Sequence, residues 1–354
     1  MEAASSSFSR SSQAESQPAW QLSPWAGAAA GAPSSRLLLQ QLAHLGKRFD
    51  QAMTGWSGIL DDVLLVRELS ARIVELVRAY PEICLGMANR LIARSTSICH
   101  DFHVAVVAVL TAQAMDLDVK QQLTVVRAAL AMNLCSFKLH EDLSFSHQPL
   151  TLAQRVNLAR HPLLAAELLS HTPGADLRWI EAVEQHHESM DGSGYPFGLA
   201  GKDISIEARV VKAADLWCAL VTPRATRQGK HPHHAMLELQ ERERMRVDMM
   251  VLATMRRRLG NYPPGTLVRL ANRESAMVTG FALGNSAPRH VVAIFNAAGE
   301  VLARPMLRDT GKTSFAIRSY ANAPQFQTQG PDWERVWSLV RSTLAAVPEG
   351  ARIA

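Results

Sequence analysis

Five residues are the ones most able to do chemistry together: His100, His161, the adjacent pair His186 and His187, and Asp215. Each falls where a helical pattern would otherwise bury an apolar side chain or begin a turn. Imidazole nitrogens suit iron, zinc, manganese or nickel ions, and a carboxylate adds charge and hardness. Two such ions about 3.5–4 Å apart activate a water and clamp a phosphoryl group. The stretch "QHHESMDGSGYPFG" sets the His-His-Glu run directly before a turn of Asp191, Gly192, Gly194, Tyr195 and Pro196. Glycine supplies positive φ there and proline restricts the chain. His103, His140, His147, His171, His231, His233 and His234 read as surface or structural.

The elements that must position these residues are almost all helical from Leu37 to about Ala253. In "ILDDVLLVRELSARIVELVRAY", Leu60, Val63, Leu64, Val66, Ile73, Val74 and Val77 recur at helical spacing. "HVAVVAVLTAQAM" and "QQLTVVRAALAMNLCSF" are apolar on most sides, as expected of helices buried between others. "TLAQRVNLAR" is expected to break at His161-Pro162, with "PLLAAELLS" restarting on a first-turn proline. "LRWIEAVEQHHE" carries Leu177, Ile180, Val183 and His187 along one face. In such a bundle, metal and phosphate sites are built from side chains that several helices point inward.

After "RRRLG" the texture changes to short β-branched runs ("PPGTLVRLANRESAMVTGFA", "HVVAIFNAAGEVLA", "TSFAIRSY"), which predict a small antiparallel β unit. "PDWERVWSLVRSTLAAV" predicts a final amphipathic helix capped by Asp332. Residues 1 to about 35, rich in Ser, Ala, Gly and Pro and holding Trp20 and Trp25, read as disordered. The 354 residues, 47% hydrophobic and 19% charged with a net charge of +5, describe an ordinary globular chain with a mildly basic surface. Cys84, Cys99, Cys135 and Cys218 lie far apart with no C-x-x-C pair, which suits a reduced compartment. Neither a membrane span nor a secretory signal is apparent, so a cytoplasmic location is expected.

"HHESMDGSGYP" resembles the signature of HD-GYP domains, which act on the bacterial second messenger cyclic di-GMP. The resemblance runs from about Thr96 to about Leu239. It covers His100 opening "HDFHVAVVAVL", His161 in "ARHPLLAAELL", and Asp215 in "ARVVKAADLWCALVTPRATR". "YPPGTLVRLANRESAMV" resembles the β unit that often follows such domains. The resemblance implies a mostly α fold, a helical HD-superfamily bundle with a small C-terminal antiparallel β unit. The implied divisions are a disordered segment 1–35, a helical region 36–95, a degenerate HD-GYP domain 96–255, a β unit 256–325 and a C-terminal helix and tail 326–354.

The same resemblance implies that His161, His186 and His187 serve one metal and that His100 and Asp215 belong mainly to another. Arg224 and Arg227 resemble the family's "RpYR" arginines, which implies a substrate-binding role, although "RATR" departs from that pattern. The chain departs most at "AALAMNLCS", where the family has "AALLHDIGK". Met132 and Asn133 replace the His-Asp pair, Ser136 replaces a lysine, and Thr96 stands where some members add a glutamate. Asparagine is neutral and bridges two dications poorly, and a Met thioether is too soft for hard divalent ions. The expectation is one divalent ion (iron, manganese or zinc) on the three histidines, or none, with the histidines then persisting as hydrogen-bonded core residues.

Expected partners are cyclic di-GMP or a related nucleotide and, through the GYP loop with Tyr195 exposed, GGDEF-type cyclase domains; DNA is not expected. The expected function is that of a degenerate member that binds nucleotide or a protein. The alternative is a metal-dependent phosphodiesterase with Glu188 and Asp191 as support and Asn133 as a neutral metal ligand, and a third reading is a scaffold.

Overall fold

The structure, a computed structural model, describes residues 59–91, 97–224, 227–282, 286–321 and 335–339. The segment 1–35, Trp20, Trp25, Thr96 and Asp332 lie outside them. Ten helices precede the sheet among the described residues: α1 (Ile59–Ala79), α2 (Pro81–Leu91), α3 (Ser97–Ala114), α4 (Val119–Ala131), α5 (Phe137–Phe145), α6 (Leu152–Ser170), α7 (Leu177–Gln185), α8 (Ile206–Val221), α9 (Pro232–Arg242) and α10 (Met249–Leu259). Residues 335–339 are helical as well.

α3 is the axle of the bundle. Its residues 101–112 are all buried, and it packs against α1, α2, α4, α8 and α10. A helix apolar all round has no solvent face to offer, so its neighbours must enclose it. Their starts are well specified. Asp118 and Thr151 form capping boxes with Gln121 and Gln154, and the side chains of Asp176, Ser205 and Asp248 accept from backbone amides of the first turns.

Two local expectations are overturned. α6 runs unbroken through Pro162, where the sequence predicts a break and a restart. The reason, given below, lies in what becomes of the carbonyl that proline leaves without a donor. On α7 the buried face is Trp179, Ala182, Val183 and Gln185, whereas Leu177 is 83% exposed. Leu177 is the first residue of that helix, and the fully buried Trp179 ring sets which side turns inward.

The β unit is a five-stranded antiparallel sheet in the order β4-β3-β2-β1-β5, built from β1 (Leu267–Leu270), β2 (Ser275–Val278), β3 (His290–Phe295), β4 (Val301–Asp309) and β5 (Ile317–Tyr320). Both faces of β3 are buried. Val291 and Ala293 join Val268, Leu270, Ala276 and Val278 in a small core of the sheet's own, while Val292 and Ile294 pack with Met277 into the helical core. Gly265, at φ +91°, leads into β1 so close to α2 that an added Cβ would meet Gly86 Cα at 3.0 Å. Asn89 ties the same corner by donating to the carbonyl of Pro264 at 2.7 Å.

The core also holds an unusual polar group. His103 is fully buried, edge-on to Trp217 at 5.7 Å between ring centres, and neither ring nitrogen has a partner among the described residues. Burial, then the nearby charge of His100, pushes its pKa down to about 3. The folded value lies below the unfolded one, so the unfolded chain takes up the proton first. Stability is therefore lost as pH falls from about 6.5 toward 3, by about 2 kcal/mol at pH 5. His103→Phe is expected to raise stability at pH 8 and to flatten this loss, as urea unfolding at several pH values would register. An unchanged pH dependence would place the loss elsewhere.

A second prediction concerns Gly86 in the middle of α2, where an added Cβ would lie 2.2 Å from Cη2 of the buried Trp337. Ala is the better helix former by about 1 kcal/mol, but overpacking costs about 1–3 kcal/mol. The clash should win in Gly86→Ala, lowering the unfolding midpoint and changing the tryptophan fluorescence as Trp337 shifts. A midpoint at or above that of the wild type would mean that the tryptophan is not held against α2.

Candidate metal centre

His161, His186 and His187 converge from two helices. Their ligand-capable nitrogens all lie within 4.8 Å of one another, with His161 and His186 buried and His187 half-buried. His161 sits in mid-α6, directly before Pro162. Pro162 has no N–H, so the carbonyl four residues before it, Leu158, loses its helical donor. His161 Nδ1 donates to that carbonyl at 2.6 Å. The proline therefore continues the helix at little cost and supplies the acceptor that orients the histidine.

His186 uses the same device at a helix end, where carbonyls lack intrahelical donors. Its Nδ1 donates to the Val183 carbonyl at 2.6 Å. With both Nδ1 atoms protonated, the neutral rings carry their lone pairs on Nε2. Those two Nε2 atoms face each other at 3.1 Å. Two lone pairs so placed repel unless a proton or a cation lies between them. Burial, the largest effect on each ring, pushes the pKa of His161 down and that of His186 down to about 3, so a proton is disfavoured. Burial also holds His187 well below its ordinary value.

A cation fits. Two nitrogens at the usual 2.0–2.1 Å from one tetrahedral ion stand roughly 3.3 Å apart, and metal binding requires neutral imidazoles. The donor set of three imidazoles matches a zinc, iron or manganese site.

His100 and Asp215 stand beside this cluster as a pair, with Nε2 and Oδ1 2.8 Å apart. Burial opposes the charge on each. For Asp215 the hydrogen bond and charge of His100 overcome it and hold the carboxyl well below its usual range. For His100, burial is outweighed by the hydrogen bond and charge of Asp215, and its pKa rises. All five candidate ligands thus meet in one region, as a triad and a pair.

The remaining candidates fall in different places. Met132 ends α4 inside the apolar core at 1% exposure. Asn133 is buried, and its Nδ2 donates to Asp101 Oδ1 at 2.7 Å. Ser136 is buried and precedes α5 without a side-chain cap. The guanidinium of Arg227 donates to the carbonyls of Ala219 and Leu220 at the end of α8, so it fastens its own loop. Arg224 is exposed, and its charge reaches His100 and His140.

The GYP loop closes over His187. Tyr195 stacks on that ring at 4.8 Å and 26°, so it is half-buried, in contrast to the exposed tyrosine expected. Gly194 has no room for a side chain, since a Cβ would lie 2.3 Å from the Ser189 nitrogen, and Gly192 takes φ +77°. Pro196 follows Tyr195 through a cis peptide. Asp191 holds the turn from outside, accepting from the backbone and hydroxyl of Ser193. Glu188, fully buried, accepts from the Phe197 and Leu199 amides at 2.6 and 3.0 Å. The Glu of the His-His-Glu run is a clamp on the loop.

Sequence reasoning missed three residues here. Lys212, one turn before Asp215, donates to the His187 carbonyl at 3.2 Å and to Ser189 Oγ at 3.1 Å. Burial, then the charge of Arg246, pushes its pKa down to about 8. His140, read as surface or structural, comes from α5 to lie edge-on to His161 at 5.7 Å. Asp101 is the third. Position was the available signal: Lys212 is at i−3 from Asp215, and Asp101 adjoins His100.

The HD domain family profile matches residues 72–251. Over 285 residues the chain is 26% identical to the cyclic di-GMP phosphodiesterase PA4108 of Pseudomonas aeruginosa, covering 79% of this chain and 66% of that one. It is 30% identical over 148 residues to the 3'3'-cGAMP-specific phosphodiesterase 1 of Vibrio cholerae, covering 41% and 34%. The chain thus spans just under two thirds of the first relative and about a third of the second. Among solved structures, Bd1817, an HDG"Y"P protein from Bdellovibrio bacteriovorus, shares the fold with a TM-score of 0.51 at 16% identity, over 64% of this chain and 73% of that one. The chain belongs to the HD domain family, and its GYP loop and histidine centre place it in the HD-GYP group. Among the described residues no helix is long and apolar enough to cross a membrane.

Glu188→Gln tests the clamp. A glutamine oxygen can accept from one loop amide, but its NH2 then opposes the other. Losing a charge-assisted bond should lower stability by about 2–3 kcal/mol and open the loop to protease between Gly192 and Leu199. Wild-type resistance in the variant would show that the loop is held by the Tyr195 stack alone.

Proposed function

We propose that this chain serves cyclic di-GMP signalling as a degenerate HD-GYP protein. It holds one divalent ion (iron, manganese or zinc) on His161, His186 and His187. It binds cyclic di-GMP or a related cyclic dinucleotide beside that ion and turns it over poorly or not at all. What carries the reading is the contrast between two halves of one centre. Three neutral imidazoles converge with two bare nitrogens facing each other, while at positions 132–133 a core methionine and a neutral amide stand where the family pattern has His-Asp.

A bound divalent ion would supply positive charge for phosphoryl oxygens and lower the pKa of a water. The chain's own groups do the rest. Arg224 is the exposed guanidinium suited to a phosphate, since such groups bind oxyanions through charge-assisted hydrogen bonds. Lys212 steadies the His187 backbone, and the stacked Tyr195 shields that ring from water. The outer side of the GYP loop, where Phe197 is 55% exposed, offers a face for a GGDEF-type cyclase domain. We place the protein in the cytoplasm, with a domain over 96–255 followed by the β unit.

A second reading, an active phosphodiesterase, is favoured by the intact His100–Asp215 pair. Anaerobic incubation with cyclic di-GMP and iron(II) or manganese(II), followed by chromatography, separates the two. The expected result is nucleotide binding by calorimetry, weakened about tenfold in Arg224→Ala, and no linear dinucleotide or GMP. Product that disappears in His187→Ala would establish the second reading in its place.

A further inference from the structure

Asp101 is 1% exposed, and its two oxygens have different surroundings. Oδ1 accepts from Asn133 Nδ2 at 2.7 Å, while Oδ2 is buried with no partner among the described residues. As a purely structural contact this pair is poor. A carboxylate removed from water with one oxygen bare costs more than an amide or an apolar pair of the same shape. The pair lies next to the metal centre through the chain itself, because Asp101 follows His100, and His100 holds Asp215 at 2.8 Å.

Oδ1 of Asp101 is the acceptor in this bond, so the Asn133 amide turns its NH2 toward Asp101. That leaves the carbonyl oxygen of Asn133 as the opposite end of a planar group, and no donor among the described residues reaches it. An amide oxygen is a hard ligand suited to divalent cations. A carboxylate behind a ligand raises that ligand's basicity and fixes its orientation, as behind metal-bound histidines.

We infer that Asp101 is a positioning residue of the metal centre: it fixes the Asn133 amide with its carbonyl oxygen presented to the cation and lends it negative charge through the Nδ2–H···Oδ1 bond. The carboxylate absent from position 133 is thereby supplied from α3, one bond further out. This rests on the proposed metal on His161, His186 and His187, and deepens it by naming the source of charge for that site.

The test is manganese(II) affinity of the full chain, freed of metal by chelator and titrated by electron paramagnetic resonance, beside urea unfolding of the metal-free protein. Asp101→Asn is isosteric and keeps a hydrogen bond to Asn133 available. It is expected to weaken manganese binding by about 10–100-fold with metal-free stability equal to or above that of the wild type. The double variant Asp101→Asn/Asn133→Asp moves the carboxylate inward and is expected to bring affinity back to the wild-type value or above it.

Unchanged affinity in Asp101→Asn, alongside a loss in His187→Ala, would overturn the role of Asp101 alone. A loss in Asp101→Asn that the double variant does not restore would also overturn it, since transplanted charge would then have no effect. A wild type that binds no manganese, or a His187→Ala variant that binds as the wild type does, would overturn the three-histidine metal site and this inference with it.

Discussion

The donation of an imidazole Nδ1–H to a backbone carbonyl is the constraint from which the centre is built. It occurs twice, from His161 to Leu158 and from His186 to Val183, each at 2.6 Å. In both cases the local helix leaves the acceptor unused. Proline removes the donor in one, and the end of the helix removes it in the other. A carbonyl with no helical partner in a buried place must find another, and the histidine three residues on is within reach. The ring's tautomer and direction then follow, and its second nitrogen is committed to whatever lies between the helices. The convergence of the two Nε2 atoms is thus a consequence of how two helices settle their backbone hydrogen bonds.

That arrangement holds only if the helices cannot slide. α3, buried on every side through residues 101–112, carries His100 and Asp101 at its first turns and anchors α8, which carries Lys212 and Asp215. Burial of this kind also explains the electrostatics. The region contains more ionisable groups than an apolar core tolerates in charged form, so His161, His186 and His187 are held neutral while His100 and Asp215 pair their charges. A centre of neutral nitrogens bordered by one ion pair is prepared for a cation and unfavourable to protons. Glu188 is tolerated in the same environment because two loop amides satisfy it, which turns a desolvation cost into a fixed loop conformation.

Much of this was legible in the sequence, and what was not has a common physical cause. Apolar periodicity marked α1, runs apolar on most sides marked α3 and α4, and β-branched runs bounded by Gly and Pro marked the sheet, because these signals are local. The triad was legible only through the family resemblance, since a buried histidine taken alone is as readily a hydrogen-bonded core residue as a ligand. Pro162 was misread as a break because its effect depends on a neighbouring side chain able to take the orphaned carbonyl. Leu177 was misplaced because a strong amphipathic face is set by its largest member, Trp179, and the first residue of a helix can lie beyond the body it packs on. Tyr195 was read as exposed because nothing in a loop's own sequence states which ring it will cover.

Asp101 shows the limit of residue-by-residue comparison. Position 133 taken alone has lost a carboxylate, and position 101 taken alone has a carboxylate with no obvious purpose. Only the fold brings the two side chains within 2.7 Å, across 32 positions of sequence. Charge at a metal site is a property of the volume around the ion, and the Coulomb interaction falls only as the inverse of distance. A carboxylate displaced outward by the length of one amide therefore keeps much of its effect, provided that the low-dielectric core lies between. Loss of a motif residue is a statement about one side chain, whereas loss of a site is a statement about the field and the donors that remain. What remains around the proposed site is three imidazoles, an ion pair and an amide held in place by a buried acid.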